Sequence, residues 1–134
     1  MNAVALLKFD QPDMLLAIDA LDDAEMDSLD FGVIAFDATT AVRRYNRFES
    51  EIAGLGMQRV IGFPFFTAVA PCMNNFLVAQ RFEDAWSNGT TLDASIDYVL
   101  TLRMRPSKVV LRLLAAPDHM LRYVLVERRS QCKS

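Results

Sequence analysis

Between Ile96 and Arg105 the chain alternates almost without a break. Ile96, Tyr98, Leu100, Leu102 and Met104 fall on one side, and Asp97, Val99, Thr101, Arg103 and Arg105 on the other. A period of two is that of a β-strand with one buried face. Arg105-Pro106-Ser107 then turns the chain, residues 108–114 read as a second strand, Ala116-Pro117-Asp118-His119 as a turn, and residues 121–127 as a third strand. Strands joined by turns this short pair antiparallel, because a parallel pair needs a crossover of a dozen residues or more. The C-terminal third is thereby committed to an antiparallel sheet, and the rest of the chain must cover it.

The N-terminal part supplies two more strands and the helices. Residues 11–28 read as two short helices, with Met14, Leu15, Ile18 and Leu21 at helical spacing and Asp22-Asp23 breaking the run. Residues 31–37 and 41–45 form a hairpin around Ala38-Thr39-Thr40. Residues 47–53 read as a helix closed by Gly54, and residues 57–61 as a shorter one. Val78, Phe82, Ala85 and Trp86 make one stripe of a longer helix ended by Asn88-Gly89. The expectation is an α+β domain: a five-stranded, mostly antiparallel sheet flanked by short helices and one longer helix, with residues 1–30 as an N-terminal helical cap, 31–128 as the core and 129–134 as a polar tail. A chain of 134 residues, 52% apolar and with nine Phe, can fill such a core without metals or disulfides.

Charge and composition exclude several function classes. The net charge of −3 argues against nucleic acid as a partner. No transmembrane span is expected and no signal peptide is visible, so a cytoplasmic protein is expected. The two cysteines, Cys72 and Cys132, do not suggest a disulfide framework. Eight acidic residues and no Lys or Arg lie between residues 10 and 30, whereas residues 103–129 carry seven basic and two acidic ones. The acidic segment is expected to dock near the basic half.

Cys72 closes the apolar stretch Val60-Ile61-Gly62-Phe63-Pro64-Phe65-Phe66-Thr67-Ala68-Val69-Ala70-Pro71 and precedes the long helix. By residue type alone it is a packing residue, a nucleophile or an attachment point. A nucleophile needs a histidine, and the single one, His119, sits in the turn between the last two strands, a poor place for a Cys–His pair. A non-enzymatic protein is expected. No cluster of ligands suggests haem or zinc. Tyr45 and Glu49, taken alone, are a strand-end tyrosine and a helix glutamate.

The motifs around Cys72 resemble the photoactive yellow protein family of the PAS superfamily. The resemblance rests on Phe31-Gly32-Val33-Ile34, Tyr45-Asn46, Glu49, Val60-Ile61-Gly62, Phe65-Phe66, Val69-Ala70-Pro71-Cys72 and Met104-Arg105-Pro106-Ser107-Lys108-Val109, in order through roughly residues 20 to 128. It implies a blue-light photoreceptor with p-coumaric acid held on Cys72 as a thioester. It implies that Tyr45 and Glu49 hydrogen-bond the buried phenolate oxygen, that the Cys72 backbone N–H binds the thioester carbonyl, and that Phe65, Tyr98, Leu100 and Met104 line the pocket or lie near it. The chain departs from the family at Ala53, where Thr is frequent, and at Leu55, where Arg is. These departures keep open an alternative: a PAS-type module that binds another ligand or a partner protein without the chromophore.

A buried phenolate without a cation needs strong donors. Glu49 donates only as the neutral acid, through O–H···O⁻ bonds on the order of 2.5–2.7 Å, so it is expected to be protonated in the dark. With no Arg at position 55, Arg43, Arg44 or Arg47 is a candidate cation. Proton transfer from Glu49 after photoisomerisation is expected to leave a carboxylate without a counter-charge, relieved by partial unfolding of residues 1–30. With no output domain in view, the signal is expected to pass to a separate downstream protein. The apolar surplus, seven Met included, leaves room for a homodimer interface.

Overall fold

We describe residues 7–100 and 107–128 of a computed structural model of the chain. The elements follow as α1 (Met14–Asp19), α2 (Asp23–Asp27), β1 (Gly32–Phe36), β2 (Val42–Tyr45), α3 (Arg47–Ala53), a 3₁₀ turn (Met57–Arg59), a π-helical turn (Phe65–Val69), a second 3₁₀ turn (Pro71–Met73), α4 (Ala79–Asn88), β3 (Leu92–Leu100), β4 (Ser107–Ala115) and β5 (Arg122–Arg128). The five strands form one sheet in the order β2-β1-β5-β4-β3, and every neighbouring pair is antiparallel. The α+β sheet expected from the sequence is therefore present.

Both faces of the sheet are covered, which explains why its central strands read as apolar runs rather than alternations. Ile34, Phe36, Val109, Leu111, Leu113, Val124 and Val126 face a core shared with α4 and the turns around Cys72. Their sequence neighbours Val33, Ala35, Val110, Leu114, Tyr123 and Leu125 face a second core with Met14, Ile18, Met26 and Leu29 of the N-terminal segment. Only β3, at the sheet edge, keeps an alternating burial pattern. It begins at Leu92, four residues before the alternation is obvious, because Leu92 to Leu100 pair in unbroken register with Ala115 to Ser107.

Local chemistry sets the helix ends. Asp22, a helix breaker on paper, is the N-cap of α2 in a reciprocal capping box with Glu25. α3 starts on Asn46 and stops at Gly54, whose φ of 74° suits glycine. In α4, Val78, Phe82 and Ala85 are buried as the stripe requires, but Trp86 is 60% exposed. Trp86 lies on the edge of the stripe, and its ring packs under the Arg122 guanidinium instead.

The N-terminal segment does dock on the sheet, but not by pairing its acidic side chains with the basic half. Arg112 donates to the carbonyls of Phe9 (2.9 Å) and Gln11 (2.7 Å), and its own ion pair is with Asp93 of β3 (2.8 Å). Arg44 donates to the carbonyls of Ile18 and Leu21. Among the acidic side chains of α1, Asp19 accepts from the Tyr123 hydroxyl (2.7 Å) and meets His119 (3.3 Å).

Candidate functional site

The site grows from the junction of β2 and α3. Tyr45 ends β2 opposite Ile34 of β1. The next residue, Asn46, is wholly buried, and its side chain uses every direction it has. Its Oδ1 accepts from the amides of Val33 (3.0 Å) and Glu49 (3.2 Å), and its Nδ2 donates to the carbonyls of Met26 and Phe31 (both 3.0 Å). One amide group thus caps α3, pins β1 and holds the end of the N-terminal segment. α3 then carries Glu49 back over β1. A Cβ on Gly32 would stand 2.0 Å from Glu49 Oε1, so only glycine at this position lets the carboxyl group lie against the strand.

Glu49 is 3% exposed, and Arg128 at the end of β5 meets it with a two-pronged fork: Nη1 to Oε1 at 2.7 Å and Nη2 to Oε2 at 3.0 Å. This is the geometry of a guanidinium on a carboxylate. The cation of the site is therefore Arg128, not Arg43, Arg44 or Arg47. Arg43 pairs with Asp37 (2.7 Å), Arg44 serves the N-terminal segment and Tyr123, and Arg47 is fixed through its amide on Asp27 (2.8 Å). The expectation that an ionised Glu49 stands without a counter-charge does not hold in this chain. A signal for Arg128 was present in the sequence: Val124, Val126 and residue 128 share one face of a strand.

Tyr45 is 2% exposed, and its hydroxyl donates to the Leu55 carbonyl (3.2 Å), which also accepts from Ser50 Oγ (2.7 Å). Burial pushes the phenol well above its ordinary pKa; the negative charge of Glu49 adds to this, and Arg128 offsets part of it. Tyr45, Glu49 and Arg128 are thus one electrostatic unit. Leu55 brings no charge to it, but its backbone oxygen orders the tyrosine.

Cys72 is half-buried in the 3₁₀ turn Pro71–Met73 and packs on the core that contains Tyr45, Phe65, Tyr98 and Leu100. Its carbonyl accepts from the Tyr98 hydroxyl and from Asn75 Nδ2 (3.2 Å), and Asn75 also donates to Tyr98 Oη (2.6 Å). Asn75 Oδ1 accepts from the amides of Leu77 and Val78 at the entry to α4. Tyr98, expected as a pocket wall, therefore also anchors the cysteine backbone. Phe65 is fully buried and stacks on Phe36 at 5.1 Å, and Leu100 is buried. Met104 lies outside the described residues. His119 lies beyond the end of β4, about 20 Å along the strand from the Tyr98–Val109 pair that borders Cys72. No group of three or more metal-ligating side chains exists among the described residues, and none of their helices is long and apolar enough to cross a membrane.

The arrangement has known counterparts. No family model matches the chain. The PAS domain of the RpfR quorum-sensing receptor from Cronobacter turicensis superposes over 77% of this chain and 97% of its own, with a TM-score of 0.60 at 17% identity, which defines the fold as PAS-like. The photoactive yellow protein domain of the sensor histidine kinase Ppr from Rhodospirillum centenum superposes with a TM-score of 0.76 and 39% identity, over 84% of this chain and 97% of that domain. The photoactive yellow protein of Rhodothalassium salexigens is 35% identical over 123 residues, 92% of this chain and 98% of that protein; that of Halochromatium salexigens is 31% identical over the same span. The chain belongs to the photoactive yellow protein family and has a PAS-like fold.

Proposed function

We propose that the chain is a blue-light receptor with a p-coumaroyl group attached to Cys72 as a thioester. The observation that carries this reading is the buried Tyr45–Glu49 pair on the same core as Cys72, in a member of this family. The residues suit such a group: a half-buried thiol on a backbone held by Tyr98 and Asn75, aromatic walls at Phe65, and buried polar groups at Tyr45 and Glu49. When bound, the group supplies light absorption, a double bond that isomerises and a phenolic oxygen that exchanges a proton.

The chain's own residues do the rest. Tyr45 has a single hydroxyl proton, so holding a phenolate requires it to swing from the Leu55 carbonyl toward the ligand. With the group bound, a second anion beside Glu49 would disfavour its carboxylate form, so Glu49 would carry a proton in the dark and hold the phenolate oxygen by a hydrogen bond through it. Loss of that proton after illumination returns Glu49 to the Arg128 fork. The carboxylate then has a partner, and the force on the fold comes from the movement of Glu49 rather than from a bare buried charge. That movement reaches the N-terminal segment by a short route. Glu49 lies on Gly32, its amide is bonded to Asn46, and Asn46 holds Met26 and Phe31. Release of residues 1–30 toward a separate downstream protein is the proposed signal.

The test is reconstitution. Protein treated with activated p-coumaric acid gains the mass of one chromophore, turns yellow and bleaches under blue light, and Cys72→Ala abolishes all three. Protein that stays colourless and unmodified indicates a PAS module for another ligand. Hydrogen exchange in residues 1–30 that does not change with light would reject the signalling step alone.

A further inference from the structure

A second site lies where α4 meets the β4–β5 end of the sheet. A cavity of about 230 Å³ is walled there by Phe82, Ala85, Trp86, Ala115 and Pro117, with Arg122 as its basic residue. Arg122 opens β5 on the same face as Val124 and Val126, so its side chain runs under α4. It is 8% exposed, its Nη1 is buried without a hydrogen-bond partner among the described residues, and its guanidinium carbon sits 4.6 Å from the centre of the Trp86 ring. The carbonyls of Ala85 and Trp86 that end α4 already accept from the amides of Thr90 and Gly89. A buried guanidinium with an idle donor and no carboxylate is costly, and such groups are ordinarily paired. The unmet need is for an acceptor, and an anion satisfies both the hydrogen bond and the charge.

We propose that this cavity binds a small aromatic monocarboxylate, its ring against Trp86 and Phe82 and its carboxylate on Arg122. The volume suits one ring: a dry apolar cavity of about 150 Å³ accommodates benzene. A phosphate is a poorer fit, because no second cation among the described residues lines the cavity and its walls are mainly apolar. The site is separate from Cys72 and stands whether or not the chain carries a chromophore there.

Trp86 is the single tryptophan, so its fluorescence reads the cavity directly. Benzoate titrated into the full chain at constant ionic strength produces a saturable change in Trp86 emission. Benzamide, which keeps the ring and loses the charge, binds at least about tenfold more weakly, as does benzoate to Arg122→Gln, since one hydrogen bond to a charged group contributes about 1.5–3 kcal/mol. A midpoint for benzamide equal to that of benzoate, unaltered benzoate binding by Arg122→Gln, or no saturable change up to about 50 mM benzoate, a level that only the weakest sites exceed, overturns the proposal. The ligand comparison needs only the wild-type chain, so it decides the matter even if the variant fails to fold.

Discussion

Replacing Arg128 with Met removes the cation from Glu49 while keeping an unbranched apolar stem in its place. Glu49 is 3% exposed and the Arg128 side chain 17%, so the variant strands a carboxylate that water barely reaches. Breaking a buried pair by removing one partner costs about 3–5 kcal/mol, and the partial exposure of Arg128 places this case near the lower end, at about 3 kcal/mol. In urea, where small domains lose about 1–3 kcal/mol per molar denaturant, the unfolding midpoint of the ligand-free protein drops by about 1–3 M. The double variant Arg128→Met with Glu49→Gln removes both charges and stays within about 1 kcal/mol of wild type, since uncharged replacements of buried pairs are often neutral. The coupling energy of the cycle is then about 2 kcal/mol or more. A single variant that loses less than about 0.5 kcal/mol, the scale of an exposed pair, or a cycle that closes additively, refutes the reasoning.

Gly32→Ala puts a methyl group 2.0 Å from Glu49 Oε1, and a clash in a packed site costs about 1–3 kcal/mol, to be read as a lowered thermal midpoint of the ligand-free protein. Arg112→Met removes the donors on the Phe9 and Gln11 carbonyls, and faster hydrogen exchange confined to residues 7–13 and their neighbours is the expected outcome. The Asp37 carboxyl is held down at about 2, first by the Thr39 hydroxyl and then, against an opposing burial penalty, by Arg43 and the amides of Thr39 and Ala41. A depressed folded pKa gives stability that is present above the unfolded value of about 3.9 and is lost as pH falls toward 2, so Asp37→Asn flattens the stability profile between about pH 4 and 2.

What the sequence disclosed follows the range over which each interaction acts. α3 is legible at both ends because Asn46 and Gly54 act within one turn. The hairpin and the three C-terminal strands are legible for the same reason. Glu49–Arg128 and Arg112–Phe9 join residues 79 and 103 positions apart, and no local pattern pairs one charge with another at such separation. Charge blocks suggested that the acidic segment would dock near the basic half; it does lie on the sheet, held mainly by arginines that donate to its backbone carbonyls, which composition does not register, with Arg44 also 3.7 Å from Asp23. Asn75 is an unremarkable polar residue until Tyr98 and the Cys72 carbonyl stand beside it. Trp86 fits a helical stripe by its number and leaves it because Arg122 offers its ring a cation.

Cys132 is an internal control for attachment at Cys72, since it is a second thiol able to take up an activated acyl group. The decisive measurement is a peptide map of protein treated with activated p-coumaric acid. The expected result is a hydroxylamine-labile adduct on the peptide that contains Cys72, with blue absorption that Tyr45→Phe and Glu49→Gln shift. An adduct confined to Cys132, or a Cys72 adduct whose absorption neither substitution alters, contradicts it.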